Sequence, residues 1–248
     1  MIATAPKPER RVSANGRLEP LENGDCLTAP EFLRGCEAMP EVKKAELIEG
    51  IVYLGSPVRY SLHGRPDALM QMWLSHYETY TPGVEFVANT TAQLDIENVP
   101  QPDSLLRIHE HCGGQSHVDK KDYLVGAPEL VIEIAASSVS IDLHDKLRAY
   151  RRNGVKEYLT WRTLQGQFDW RILAEGEFRP MEPDAKRIFR STVFPGLWLS
   201  IQAVLQRDAP EMLGCLDAGL ASREHKAFKA KLAAAKRSAL RNPRRART

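Results

Sequence analysis

Asp103, Glu133 and Lys146 stand where their chemistry is at odds with their surroundings. Asp103 follows Gln101-Pro102 and leads into the apolar run SLLRI, Glu133 interrupts ELVIEIA, and Lys146 follows on the next predicted helix. A carboxylate inside a buried strand costs several kcal/mol unless a cation or strong donors compensate it. Two carboxylates on adjacent strands of one sheet can converge on a divalent ion, and Mg2+ prefers such oxygen ligands while keeping waters to meet a phosphate. That geometry would suit phosphodiester hydrolysis, with a nearby lysine positioning the attacking water and stabilising charge on the phosphate. Each residue also has a bland role: Asp103 as a strand-start cap, Glu133 at an edge bonded to a side chain, Lys146 as the i+4 partner of Asp142.

The elements that must position these groups can be read from periodicity and breakers. Thr28 and Glu31 form a capping-box pattern around Pro30 and open a short helix through about Ala38. ELIEGIVYL (46–54) alternates around Glu49-Gly50 like a tight hairpin. Apolar residues recur at helical spacing from Leu62 to Tyr80, and Pro82-Gly83 ends that segment. Residues 84–96 and 99–108 read as two strands joined at Glu97-Asn98, followed by a polar loop over 109–127. ELVIEIA (129–135) predicts a central strand buried on both faces. Ser137, Ser138 and Ser140 offer N-caps for a helix through about Arg152, closed by Asn153-Gly154. Residues 155–163 and 167–174 predict a hairpin turning at Gln165-Gly166, 189–201 an edge strand, and 209–221 a helix.

Composition bounds the function. With 43% apolar residues the chain can bury a sizeable core, and it carries no apolar run of the roughly eighteen residues that span a bilayer and no apolar N-terminal leader, so no membrane role and a cytoplasmic location are expected. Cys26, Cys36, Cys112 and Cys215 are scattered and read as free thiols. The net charge of +2 is unevenly spread: residues 221–248 hold ten Lys/Arg and one acid, which leaves an acidic body. Such a tail could contact nucleic-acid phosphates, or be a solvated, partly helical extension.

The stretches LTAPEFL, AELIEGIVYLGSP with a downstream His63, QPDSLL, GAPELVIEIAASSVSIDLHDKLRAYRRNGVKEYLTW and VFPGLWL together resemble the bacterial Uma-type restriction-endonuclease family, over about residues 26–205. That family belongs to the PD-(D/E)XK nuclease superfamily. The resemblance implies an α/β fold with a restriction-endonuclease-like core: a mixed central sheet flanked by helices in the order αβββαβ, plus an N-terminal hairpin and C-terminal strands and helix. With residues 1–25 read from their Pro, Gly, Asn and charge content as a disordered leader, the expected division is that leader, a nuclease domain (26–205) and a C-terminal helix with basic tail (206–248). By the same resemblance Asp103 and Glu133 are metal ligands for Mg2+ or Mn2+, the Ile134 main-chain carbonyl is a third, and Lys146 is a catalytic lysine displaced from the position of Ala135. Glu46 matches the family's AELIEG glutamate, with Glu49 as the alternative if the register slips by one. His63 matches a recurrent position, as a substrate contact or as helix-start structure.

Competing signals are weaker. His109, His111, Cys112 and His117 share one loop but lack the paired spacing of structural zinc motifs. Cys112 with a nearby histidine has no third orienting residue, no Gly-rich phosphate loop follows a strand, and Trp161, Trp170 and Trp198 read as core or interface residues. Two function classes follow: a metal-dependent endonuclease acting on DNA, possible as a homodimer because a duplex has two strands to cut, and a nuclease-fold protein that binds nucleic acid or a protein partner without turnover.

Overall fold

The computed structural model describes residues 20–136 and 139–241. Helix α1 (Ala29–Glu37) opens as the capping pattern predicts: the Glu31 carboxylate accepts from both the backbone N–H and the hydroxyl of Thr28, at 2.8 and 2.6 Å. Strands β1 (Ala45–Ile48) and β2 (Ile51–Leu54) form an antiparallel hairpin. Its two turn residues, Glu49 and Gly50, have φ of 53° and 75°, the conformation a two-residue turn of matching twist demands. A π-helical turn (Tyr60–Gly64) then runs into α2 (Arg65–Thr79).

The central sheet uses β3 (Val84–Ala88), β5 (Ser104–Ile108) and β8 (Leu130–Ala135), with β4 (Ala92–Gln93), β6 (His117–Val118) and β7 (Leu124–Val125) lying outside it. After β8 a second π-helical turn (Ile141–Asp145) leads into α3 (Lys146–Arg152), then β9 (Glu157–Arg162), β10 (Gln167–Ala174) and β11 (Glu177–Pro180). The sheet order is β11-β10-β9-β8-β5-β3, antiparallel throughout except for the parallel pair β8–β9 that α3 connects. The chain ends its described part with the hairpin β12 (Ile188–Arg190) and β13 (Trp198–Ser200) and helices α4 (Ile201–Gln206), α5 (Ala209–Leu220) and α6 (Arg223–Arg241). No described helix is long and apolar enough to cross a membrane.

The two faces of the sheet have different jobs. Ile132, Ile134, Leu159 and Trp170 point to the layer of α2 and α5, where Trp73, Tyr77, Met212 and Leu216 complete the main core. Val131 and Tyr158 point the other way, toward α3 and Tyr150. A separate cluster of Leu21, Leu27, Phe32, Leu47 and Val52 packs α1 against the N-terminal hairpin. That hairpin joins the rest through the backbone bridge of Leu47 to Val99, through the Gly50 N–H, which donates to the Glu97 carbonyl at 2.8 Å, and through the ion pairs of Lys44, Glu46 and Glu49. Trp161 and Trp170 are buried in the main core, while Arg190 stacks 3.9 Å over the Trp198 ring.

Four expectations change. The strand predicted over 84–96 stops at Ala88, and residues 99–103 approach the N-terminal hairpin before β5 begins. The polar loop 109–127 contains β6 and β7, which form a three-stranded sheet with β4; strands of two residues are too short to show a period. The segment 189–201 is not an edge of the central sheet but parts of β12 and β13 with the Pro195-Gly196 turn between them. The basic C-terminal segment is helical to Arg241 and docks through His225, Phe228 and Leu232, spaced on one helix face. Of the predicted caps, Ser137 and Ser138 lie outside the described residues, and Ser140 makes no side-chain cap bond.

Candidate active site

Asp103 and Glu133 meet because of register. Ser104 pairs with Ile132 in the antiparallel β5–β8 ladder, so one step further Asp103 stands opposite Glu133, with both side chains on the α3 face. Like charges directly opposite would push the strands apart; here cations intervene. Lys44 Nζ lies 2.9 Å from Asp103 Oδ1, and His63 Nε2 lies 3.2 Å from Oδ2, which also accepts from the Ile134 N–H at 2.9 Å. Because the N–H and C=O of an extended residue point to the same side, the Ile134 carbonyl points to the β5 side of β8, as its N–H does.

Lys146 organises the other half. Its Nζ sits 2.8 Å from Glu46 Oε1, 3.0 Å from Glu133 Oε1 and 3.6 Å from Asp142 Oδ1. Tyr150, one turn further along α3, donates to the same Glu133 oxygen at 2.9 Å, and the Gln101 N–H donates to Glu46 Oε1 at 2.8 Å. Lys44, Glu46, His63, Asp103, Glu133 and Lys146 line one cleft of about 760 Å³. Glu46, not Glu49, faces it: Glu49 occupies the hairpin turn and pairs with Arg152 at 3.0 Å.

Electrostatics follow from this packing. Burial pushes the Glu133 carboxyl well up, and the charges of Asp103, Asp142 and Glu46 add to that against the pull of Lys146. Burial would raise Asp103 too, but the His63 hydrogen bond, the Lys44 charge and the Ile134 N–H outweigh it and hold the carboxyl far below its usual range. The hydrogen bond that His63 donates to Asp103 raises His63. Lys146 is raised well above the ordinary lysine value although burial opposes this, because three carboxylates surround it.

Glu46, Asp103, Glu133 and Asp142 thus face two lysines and His63, acids and cations packed together at the base of the cleft. The donor set fits a hard divalent cation: two strand carboxylates at opposed register positions and a main-chain carbonyl beside them. Among the described residues no three His, Cys, Asp or Glu side chains already form a metal-binding group, so the fit rests on the carboxylate pair and that carbonyl.

All the residues singled out in the sequence, Asp103, Glu133, Ile134, Lys146, Glu46 and His63, come to this place. Lys44 was missed, although it lies two residues before Glu46 on the same alternating strand edge; Tyr150 was missed, although it follows Lys146 by one helical turn. Gly55 has a part in placing Lys44: a Cβ there would lie 2.8 Å from Lys44 Cβ. The histidine loop lies elsewhere, with the His109 and His111 rings 5.1 Å apart, Cys112 buried beneath Gly83, and His117 exposed on β6.

Comparison with known proteins agrees with this architecture. A solved structure described as a putative nuclease belonging to DUF820, from Anabaena variabilis ATCC 29413, superposes with a TM-score of 0.55 at 16% identity, covering 73% of this chain and 98% of that one. No curated protein matches the chain. The family described as "Putative restriction endonuclease" matches residues 29–202, from the first helix to the start of α4. With that match spanning most of its length, the chain belongs to the Uma2 family of putative restriction endonucleases.

Proposed function

We propose that the protein is a divalent-metal-dependent endonuclease that hydrolyses phosphodiester bonds in DNA. The observation that carries this reading is the placement of Asp103 and Glu133 at opposed positions of two neighbouring strands, on the floor of a cleft that also holds Lys146. Asp103, Glu133 and the Ile134 carbonyl would hold the ion, Mg2+ or Mn2+, and the ion when bound would polarise the phosphate and acidify a water nucleophile. The chain's own residues divide the remaining work. Lys146 and Tyr150 fix Glu133, Glu46 fixes Lys146, and Lys44, whose side chain is 31% exposed, is the cation best placed to meet a phosphate oxygen entering the cleft. In this reading the basic residues of α6 add sequence-independent affinity at a DNA flank away from the cleft, and a homodimer would bring two clefts to two strands.

A second reading, binding without turnover, draws on the ion pairs by which Lys44 and His63 engage both oxygens of Asp103. Nicking of supercoiled plasmid in Mg2+, Mn2+ or EDTA separates the two. The nuclease reading expects metal-dependent cleavage that Asp103→Ala and Lys146→Ala both abolish; a clean wild-type preparation that cuts no DNA in any metal would leave the binding reading in its place.

A further inference from the structure

The rim of the cleft is built differently from its floor. Asp103 and Glu133 are each 2% exposed, whereas residues 55–61 run exposed without a break and carry Val58 at 66% and Tyr60 at 79%. Across the opening, Leu164 in the β9–β10 turn is 61% exposed, and both Val58 and Leu164 line the cleft. Val58 and Leu164 thus present apolar surface at the mouth of the recess, and Tyr60 stands two residues beyond Val58 on the same exposed segment.

The rim is also held in place. Gly55 N–H donates to the Lys44 carbonyl at 2.9 Å, Arg207 donates to the Ser61 carbonyl at 2.9 Å, and the Thr163 hydroxyl donates to the Leu62 carbonyl at 2.7 Å. The last of these ties the two sides of the opening together. Arg59 on the cleft wall and Arg65 at the start of α2 make no side-chain ion pair or hydrogen bond among the described residues, so two unpaired cations flank the apolar rim.

Apolar and aromatic faces alternating with unpaired cations, above a floor that must receive a phosphate, match a strand whose bases are free to turn outward. A paired helix hides its base faces within the stack and offers only their edges. We propose that the cleft takes a nucleic-acid strand with unpaired bases, as in single-stranded segments, flaps or frayed ends, with bases resting on Tyr60 and Leu164 and flanking phosphates on Arg59 and Arg65. The inference rests on the nuclease reading for what happens at the floor, but its test involves no turnover.

Fluorescence anisotropy in EDTA, with labelled DNA and RNA single strands and the matching blunt duplex, measures the preference directly. A single strand of either sugar should bind at least tenfold more tightly than the duplex. Tyr60→Ala and Leu164→Ala should each weaken single-strand binding about tenfold and leave duplex binding unchanged, while Tyr60→Phe retains it, since stacking needs the ring and not the hydroxyl. Both positions are exposed, so the variants should melt with wild type. Duplex bound as tightly as single strand, or a Tyr60→Ala variant that binds normally, overturns the proposal. Selective single-strand binding without cleavage in any metal would count against the nuclease reading alone, and duplex-selective binding with metal-dependent cleavage against this inference alone.

Discussion

Replacing Lys146 by methionine keeps the length and the apolar stem of the side chain while removing the charge that three carboxylates share. Glu46 and Glu133 contact it at 2.8 and 3.0 Å, and Asp142 at 3.6 Å. Removing one partner of a buried ion pair costs about 3–5 kcal/mol, because the charge left behind has no water to turn to. The cost should depend on pH in a defined direction. Glu133 is raised from 4.5 to about 8, so its favourable contribution is complete below about pH 4.5 and is lost as pH rises through about 8. Without Lys146 its folded value moves higher still, and the variant falls further behind wild type as pH rises. Urea denaturation should therefore give a deficit of about 3–5 kcal/mol at pH 9 that shrinks by about half at pH 6, where Glu133 carries a proton and only Glu46 and Asp142 have lost their cation. A deficit under about 1 kcal/mol at pH 9, or one that does not change with pH, would refute the assignment of Lys146 as the counterion of this cluster.

Three further outcomes are expected. In NMR titrations the His63 ring should titrate above the usual imidazole range, and Asp103→Asn should bring it down; since His63 is raised and Asp103 lowered, stability from this pair is full between about pH 4 and about pH 6.5, and is lost as pH rises through the folded His63 value or falls through the folded Asp103 value. Gly55→Ala should cost about 1–3 kcal/mol in a thermal melt, because the new Cβ would fall 2.8 Å from Lys44 Cβ and 3.2 Å from its carbonyl oxygen, forcing apart the strand ends that present Lys44; an unchanged melt would show that the loop yields freely. Phe228→Ala should cost about 3–5 kcal/mol by chemical denaturation, as Phe228 packs edge-on to Phe194 in the main core, and a value within about 0.5 kcal/mol of zero would mark α6 as an appendage.

Much of the site was legible because it violates local rules. Glu133 is a lone charge in a β-branched run, and Asp103 an acid at the mouth of another; only a shared cationic environment reconciles both with burial, and their strands are neighbours. Lys44 carries no such signal, since a lysine near a strand end is ordinary, and only the pairing of β1 with β2 against residues 99–101 turns it toward Asp103. The docking of α6 was obscured for a different reason: its ten-fold excess of basic over acidic residues with the tail dominates the composition, while the face that matters consists of His225, Phe228 and Leu232 alone. The β12–β13 hairpin was hidden because each strand has three residues and the turn between them holds Pro195 and Gly196, so the run reads as one interrupted strand.

The N-terminal hairpin has its own small core around Phe32 and Leu47, apart from the main one, and it supplies Lys44 and Glu46 to the cleft. Its seating and the completion of the charged cluster are therefore one equilibrium. Anything that binds the cluster should slow exchange of the β1 and β2 amides without touching those strands. Erosion of the Phe32 cluster would then disable the cleft in a protein whose sheet remains folded.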